Sequence, residues 1–127
     1  MAECRTAKAS DIPALKAIWR ECFPTDSDEY IDCFFEDLFK EEDMVVLDDG
    51  EGAKCMCALL PCTLVLGSRT WPISYLYAMS TLPAAQGKGH ASQLLGFAAD
   101  YCRLRGDAGI ALLPADKGLS EFYARFG

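Results

Sequence analysis

The sequence lacks a long apolar run. No stretch approaches the ~20 residues that a membrane-spanning helix needs. Met1 to Arg5 has no apolar core of the kind a signal peptide carries. No membrane partner and a cytoplasmic location are therefore expected. Positive charge is short as well: 12 Lys and Arg stand against 19 Asp and Glu, a formal net charge of −7. A surface of that sign repels phosphate backbones, so no nucleic-acid partner is expected. Histidine occurs once, as His90. Paired cysteine spacing is missing: the seven cysteines are odd in number and scattered. Cys55-Met56-Cys57 puts two thiols on one face of an apparent strand without further ligands nearby. No metal is expected, and the thiols read as free in a reducing compartment.

What is present is enough apolar matter for a core, 51 % of 127 residues, and a length that fits one domain spanning residues 1–127. The chain turns on the stretch Ser74 to Leu95, SYLYAMSTLPAAQGKGHASQLL. A strand-like run ends at Thr81, a short turn follows, and Gln86-Gly87-Lys88-Gly89-His90-Ala91 leads directly into a helical pattern. Free N–H groups at a helix start, together with the helix dipole, make an anion site. Gly87 and Gly89 permit positive φ and close approach of a ligand, and Lys88 adds a full charge. A phosphate-bearing guest is expected; a loop that only caps a helix with glycine is the plainer alternative.

Two common phosphate motifs are missing. A Walker A loop would need Ser or Thr after Lys88, where Gly89 stands. A dinucleotide fingerprint beginning at Gly87 and Gly89 meets Ser92 where its third glycine belongs. The pattern that remains, Gln86-x-x-Gly89-x-Ala91, resembles the acyl-CoA-binding motif of the GNAT superfamily of N-acetyltransferases.

The rest of the chain predicts the elements in order. Glu3 to Ala7 reads as a strand. Ser10 or Asp11 is expected to cap a helix with Pro13 in its first turn and Ile12, Leu15, Ile18, Trp19 and Cys22 on its apolar side. A cap cluster at Thr25 to Asp28 opens a second helix through Phe39, with an acidic outer face read mainly as solvated. Met44 to Leu47, Ala53 to Leu66 and Ile73 to Thr81 form an antiparallel meander, with Pro61 at an edge, bulge or kink. In the last of these strands Ile73, Tyr75, Tyr77, Met79 and Thr81 are expected on one face, and Ser74, Leu76, Ala78 and Ser80 on the other. A helix from about position 91 and a short strand at Gly109 to Leu113 imply a parallel crossover. The expected class is α/β (α+β): a mixed, mostly antiparallel sheet flanked by helices.

The opening strand with Arg5, the Asp at the helix start and the ending Phe122-Tyr123-Ala124-Arg125-Phe126-Gly127 are also similar to that superfamily. The resemblance implies an acyl-CoA N-acyltransferase-like fold and acetyl-CoA as co-substrate. It implies direct attack by a primary amine of a small molecule or peptide. The cofactor would lie on Gln86, Gly87, Lys88, Gly89, His90, Ala91 and Ser92. Met79, Ser80 and Thr81 would bind the pantetheine arm and polarise the thioester carbonyl, and Phe23 to Asp26 would border the acceptor pocket. Tyr123 would protonate the departing thiolate. Asp116 stands where the family often has an Asn that bonds the arm. The strand before the loop carries no Glu or Asp to act as a base. Two further strands normally follow the terminal helix, so the domain is expected to be incomplete at its C-terminus, with an exposed sheet edge through which a homodimer would pair. Those departures keep a second class in view, a non-catalytic CoA-binding or interaction module.

Overall fold

A computed structural model describes residues 2–113. Five strands form one sheet in sequence order: β1 (Glu3–Thr6), β2 (Met44–Asp48), β3 (Ala53–Leu66), β4 (Arg69–Thr81) and β5 (Ile110–Ala111). Neighbours are antiparallel except β4 and β5, which are parallel. The expected mixed, mostly antiparallel sheet is present, with helices on both faces. The helix expected at the end of the sequence, with Asp116 and Tyr123, lies outside the described residues.

Alternation sets the two cores. Met44 and Val46 in β2 and Met56 and Ala58 in β3 turn to the face covered by α1 (Ile12–Cys22) and α2 (Asp28–Cys33), where Leu15, Ile18, Trp19, Ile31, Phe34 and Phe35 are buried. Val45, Leu47, Cys55, Cys57 and Leu59 turn the other way, onto Leu94, Leu95, Ala98 and Cys102 of α3 (His90–Leu104). The stripes recur at helical spacing, which is why each helix buries one side.

The cap of α1 differs from expectation. A 3₁₀ turn (Ala9–Asp11) precedes the helix, and Asp11 gives it no side-chain cap. Its carboxylate turns back instead, accepting from the Lys8 N–H at 2.8 Å and pairing with Arg5 at 2.7 Å. Arg5 also reaches Asp48 at 3.0 Å, so the charge ties β1, β2 and the approach to α1 together. Ser27, within the expected cap cluster, does cap α2, accepting from the Tyr30 N–H at 3.1 Å. The second helix is not uniform. From Phe34 to Leu38 it widens into a π turn, closed by Phe39 N–H to Phe34 O at 2.9 Å.

The largest correction lies in β4. Met56 pairs with Ser80, but Ala58 pairs with Tyr77, so β4 spends one more residue than β3 over this interval. The extra residue is accommodated by a bulge at Ala78, whose φ is +56°. One inserted residue exchanges the faces beyond it. Tyr77 and Ala78 both pack against the α1–α2 core, whereas Met79 joins Leu76 on the α3 side. Ser80 stands opposite Met56, and Thr81 opposite Cys55. The strict alternation from Ile73 to Thr81 is therefore broken after Tyr77. Tyr77 does not share a face with Met79 and Thr81, nor Leu76 with Ala78 and Ser80.

Candidate active site

β4 and β5 pair only at Ser74–Ile110 and Tyr75–Ala111. From Leu76 onward β4 has no strand on that side among the described residues. At its end the chain makes a tight turn: Leu82 N–H donates to Lys54 O at 2.8 Å, and Ala85 N–H to Leu82 O at 2.8 Å. Gln86 then folds back, its Nε2 donating to Thr81 O at 3.1 Å. This bond holds the loop against the strand.

Gly87 and Gly89 follow with φ of +81° and +78°. A Cβ at either would meet nothing within 4 Å, so backbone conformation rather than crowding calls for glycine, and the space before them is open to a guest. Gly89 is the residue before α3 and offers no side chain as a cap. Gln93 N–H closes the first helical turn on Gly89 O at 3.1 Å. The N–H groups of His90, Ala91 and Ser92 consequently have no carbonyl one turn back. They open, with the positive end of the dipole, into a cleft of about 350 Å³ lined by Met79, Ser80, Thr81, Ala85, Gln86, Gly87, Gly89, His90, Ala91 and Ser92. Buried His90 Nδ1 has no hydrogen-bond partner among the described residues.

The cleft thus brings together nine residues singled out in the sequence: Met79, Ser80, Thr81, Gln86, Gly87, Gly89, His90, Ala91 and Ser92. Ala85 joins them unannounced; nothing in an alanine's chemistry signals a wall. Lys88 is exposed and is not among the lining residues. Asp116 and Tyr123 lie outside the described residues.

A second, smaller cavity of about 100 Å³ lies on the opposite face, walled by Trp19, Phe23, Asp26, Tyr77 and Ala78. It adjoins the segment Phe23 to Asp26. Trp19 Nε1 donates to Asp26 Oδ2 at 2.8 Å, and the hydroxyls of Tyr30 and Tyr77 bond each other. Burial, then the Tyr30 hydrogen bond, raises the Tyr77 phenol well above its ordinary value. The two cavities meet on adjacent residues of β4, Ala78 and Met79, because the bulge turns them to opposite faces.

Thiols near the strand end are held protonated. Cys22 Sγ donates to Thr81 O at 3.2 Å, and burial pushes its thiol up. Burial also takes Cys55 to about 11. All seven cysteines are free thiols, and the described residues contain no cluster of three or more metal-ligating side chains. No helix among them is long and apolar enough to cross a membrane.

Comparison with known proteins agrees with this geometry. Residues 3–127 match the model of the acetyltransferase (GNAT) domain. A search of curated proteins finds no match. Among solved structures, a transcriptional regulator from Bacillus halodurans superposes with a TM-score of 0.73 at 21 % identity, over 100 % of this chain and 92 % of its own. A GCN5-related N-acetyltransferase from Anabaena variabilis gives 0.84 at 19 % identity; the present chain is 96 % covered and spans 31 % of that protein. AAC(6′)-Iy, solved with the bisubstrate analogue CoA-S-monomethyl-acetylneamine, gives 0.76 at 14 % identity, over 99 % of this chain and 88 % of its own. The chain belongs to the GNAT acetyltransferase family, which carries out acyl transfer and uses acetyl-CoA as co-substrate.

Proposed function

We propose that this chain transfers the acetyl group of acetyl-CoA to a primary amine of a small molecule or peptide by direct attack. The observation that carries the proposal is the run of N–H groups at His90, Ala91 and Ser92, opening beyond two positive-φ glycines into the cleft at the end of β4. Donors of that kind suit a pyrophosphate. Acetyl-CoA supplies the activated acetyl group as a thioester. Gln86, Gly87, Gly89, His90, Ala91 and Ser92 would hold its phosphates, with Lys88 adding charge from outside. Met79, Ser80 and Thr81 would hold the arm, since β4 has backbone groups to offer where β5 has left it.

Bringing amine and thioester together beside the Ala78 bulge is the main service; good alignment is worth effective molarities of ~10⁵ M or more. A backbone N–H near Met79 to Thr81 would steady the oxygen as charge develops there. Protonated thiols at half-buried Cys22 and buried Cys55 make poor nucleophiles, which favours direct attack over an acyl-cysteine route. Tyr123 is proposed as the acid that protonates the leaving thiolate, a service worth ~10² to 10⁴-fold; Asp116 is proposed to bond the arm. A cytoplasmic location and one domain over 1–127, pairing as a homodimer through the open sheet edge, complete the proposal.

The test is calorimetric titration of the 127-residue chain with acetyl-CoA, combined with CoA release in the presence of amines. Tyr123→Phe is expected to keep acetyl-CoA affinity and lose turnover. Unchanged turnover would remove Tyr123 from the chemistry. Binding without turnover on any amine would leave a CoA-binding module instead.

A further inference from the structure

The small cavity on the α1–α2 face holds something that acetyl transfer does not itself require: a fixed carboxylate among aromatic rings. Trp19, Phe23 and Tyr77 supply the rings and Asp26 the charge. Trp19 is 1 % exposed, so its indole N–H holds Asp26 Oδ2 at 2.8 Å from a rigid support. The Asp26 N–H donates to Phe23 O at 3.1 Å and fixes the backbone too. Oδ1 has no partner among the described residues, and no Lys or Arg lines the cavity. Aromatic faces and a carboxylate together favour a cation; an anionic guest would find a like charge and no cation. The net charge of −7 acts in the same direction at longer range.

An amine nitrogen held by that carboxylate stays protonated and has no lone pair with which to attack. It therefore anchors a molecule whose nucleophile is elsewhere. Resting on the acetyl-transfer reading, we propose that the cavity of Trp19, Phe23, Asp26, Tyr77 and Ala78 binds one ammonium group of an aliphatic diamine or longer polyamine, whose other nitrogen is acetylated. The cavity wall at Ala78 and the cleft wall at Met79 are consecutive residues of β4, on the part of the strand that has no β5 partner among the described residues, so an aliphatic chain passing that open side of the strand would join one to the other.

Two measurements on the 127-residue chain test this. The first is calorimetric titration with tetramethylammonium, which cannot be acetylated. The second is kcat/KM for CoA release with diaminobutane against aminobutanol, its analogue with one terminal nitrogen replaced by a hydroxyl. Tetramethylammonium is expected to bind, and diaminobutane to be preferred by about tenfold, mostly in KM. Asp26→Asn, which keeps an acceptor for the Trp19 N–H, should abolish both effects and leave acetyl-CoA affinity unchanged. Phe23→Leu should reduce both by about threefold. A preference that survives Asp26→Asn, or no tetramethylammonium binding while amines are acetylated, overturns the anchor. Asp26-dependent tetramethylammonium binding with no acetyl-CoA consumption would sink the acetyl-transfer reading and leave the cation site standing.

Discussion

The two faces of the sheet are packed from different materials. On the α1–α2 side, Phe23, Tyr30, Phe34, Phe35 and Tyr77 surround Trp19 with ring centroids 4.9 to 6.2 Å away. On the α3 side the core is aliphatic and thiol, with Leu47, Cys55, Cys57, Leu59, Leu94 and Ala98. Large rings that meet edge to face leave a small, shaped void. Small side chains and a glycine loop leave a wider cleft edged by backbone donors. One strand serves both, because Ala78 makes it change sides. Each face is also tied to the sheet by an arginine: Arg5 with Asp11 and Asp48 on one, Arg105 with Asp43, Asp107 and Ser74 on the other.

The most drastic way to break this division of labour is to close the α3 side. Gly89→Asp puts a side chain at φ +78° and a negative charge at the helix start. Acetyl-CoA affinity by calorimetry should fall by about 100-fold or more, while the cavity at Trp19 keeps its cation preference. A parallel loss on both sides would mean the faces are not independent.

Next in size is the α3 tether. Arg105 donates to Glu42 O at 2.9 Å, Leu59 O at 2.7 Å and Ser74 Oγ at 2.6 Å, besides its two ion pairs. Ser74 is fully buried, and Asp43 nearly so. Arg105→Ala strands these acceptors and should cost about 2 kcal/mol in urea unfolding. A loss under about 0.5 kcal/mol would assign the network to the surface-pair class.

The Arg5 tether should reveal itself through acid. The Arg5 hydrogen bond comes first in holding Asp11 below the usual aspartate value, and first again for Asp48. Folded pKa values below unfolded ones mean stability is present above the ordinary aspartate pKa of ~3.9 and is lost as pH falls through the depressed folded values. Asp11→Asn should flatten the fall in melting temperature below about pH 4. An unchanged slope would show that the tether is not proton-linked.

The smallest effect concerns the bulge. Ala78 at φ +56° is strained as an L-residue, so Ala78→Gly should stabilise by about 0.5–1 kcal/mol with little change in acetyl-CoA affinity. Destabilisation would mean that the Ala78 methyl is needed between the two cavities.

These contrasts explain what could be read in advance. Gln86 to Ser92 was legible because glycines before an apolar stripe announce a positive-φ turn and a helix start, both local features. The element order was legible because Met44 to Leu47 is a short apolar run rich in β-branched residues and Leu94, Leu95 and Ala98 recur at helical spacing. The bulge was not, since alanine is no signal for positive φ; only the register between β3 and β4 demands it. The π turn at Phe34–Leu38, in which consecutive Phe34 and Phe35 are both buried, carries no sequence signal of its own. Asp11 stands at the cap position of α1 as expected, but its carboxylate is taken by Arg5, six residues back on another element, a competition that helix-start signals do not reveal. Asp26 entered the sequence reading within a cap cluster and a pocket-bordering link, its bond to Trp19 being visible only in the fold.

Past its last β2 partner, Ala58, β3 continues to Leu66 with no strand on that side among the described residues. The first outward carbonyl there, Leu59 O, is taken by Arg105. Pro61 stands opposite Ser74, whose N–H turns away to Gly109 O, so the outward slot at 61 belongs to a residue with no N–H at all. A stray strand attempting to extend the sheet would meet an occupied acceptor and a missing donor in succession. An occupied acceptor and a missing donor are both devices that discourage strand addition at a sheet margin.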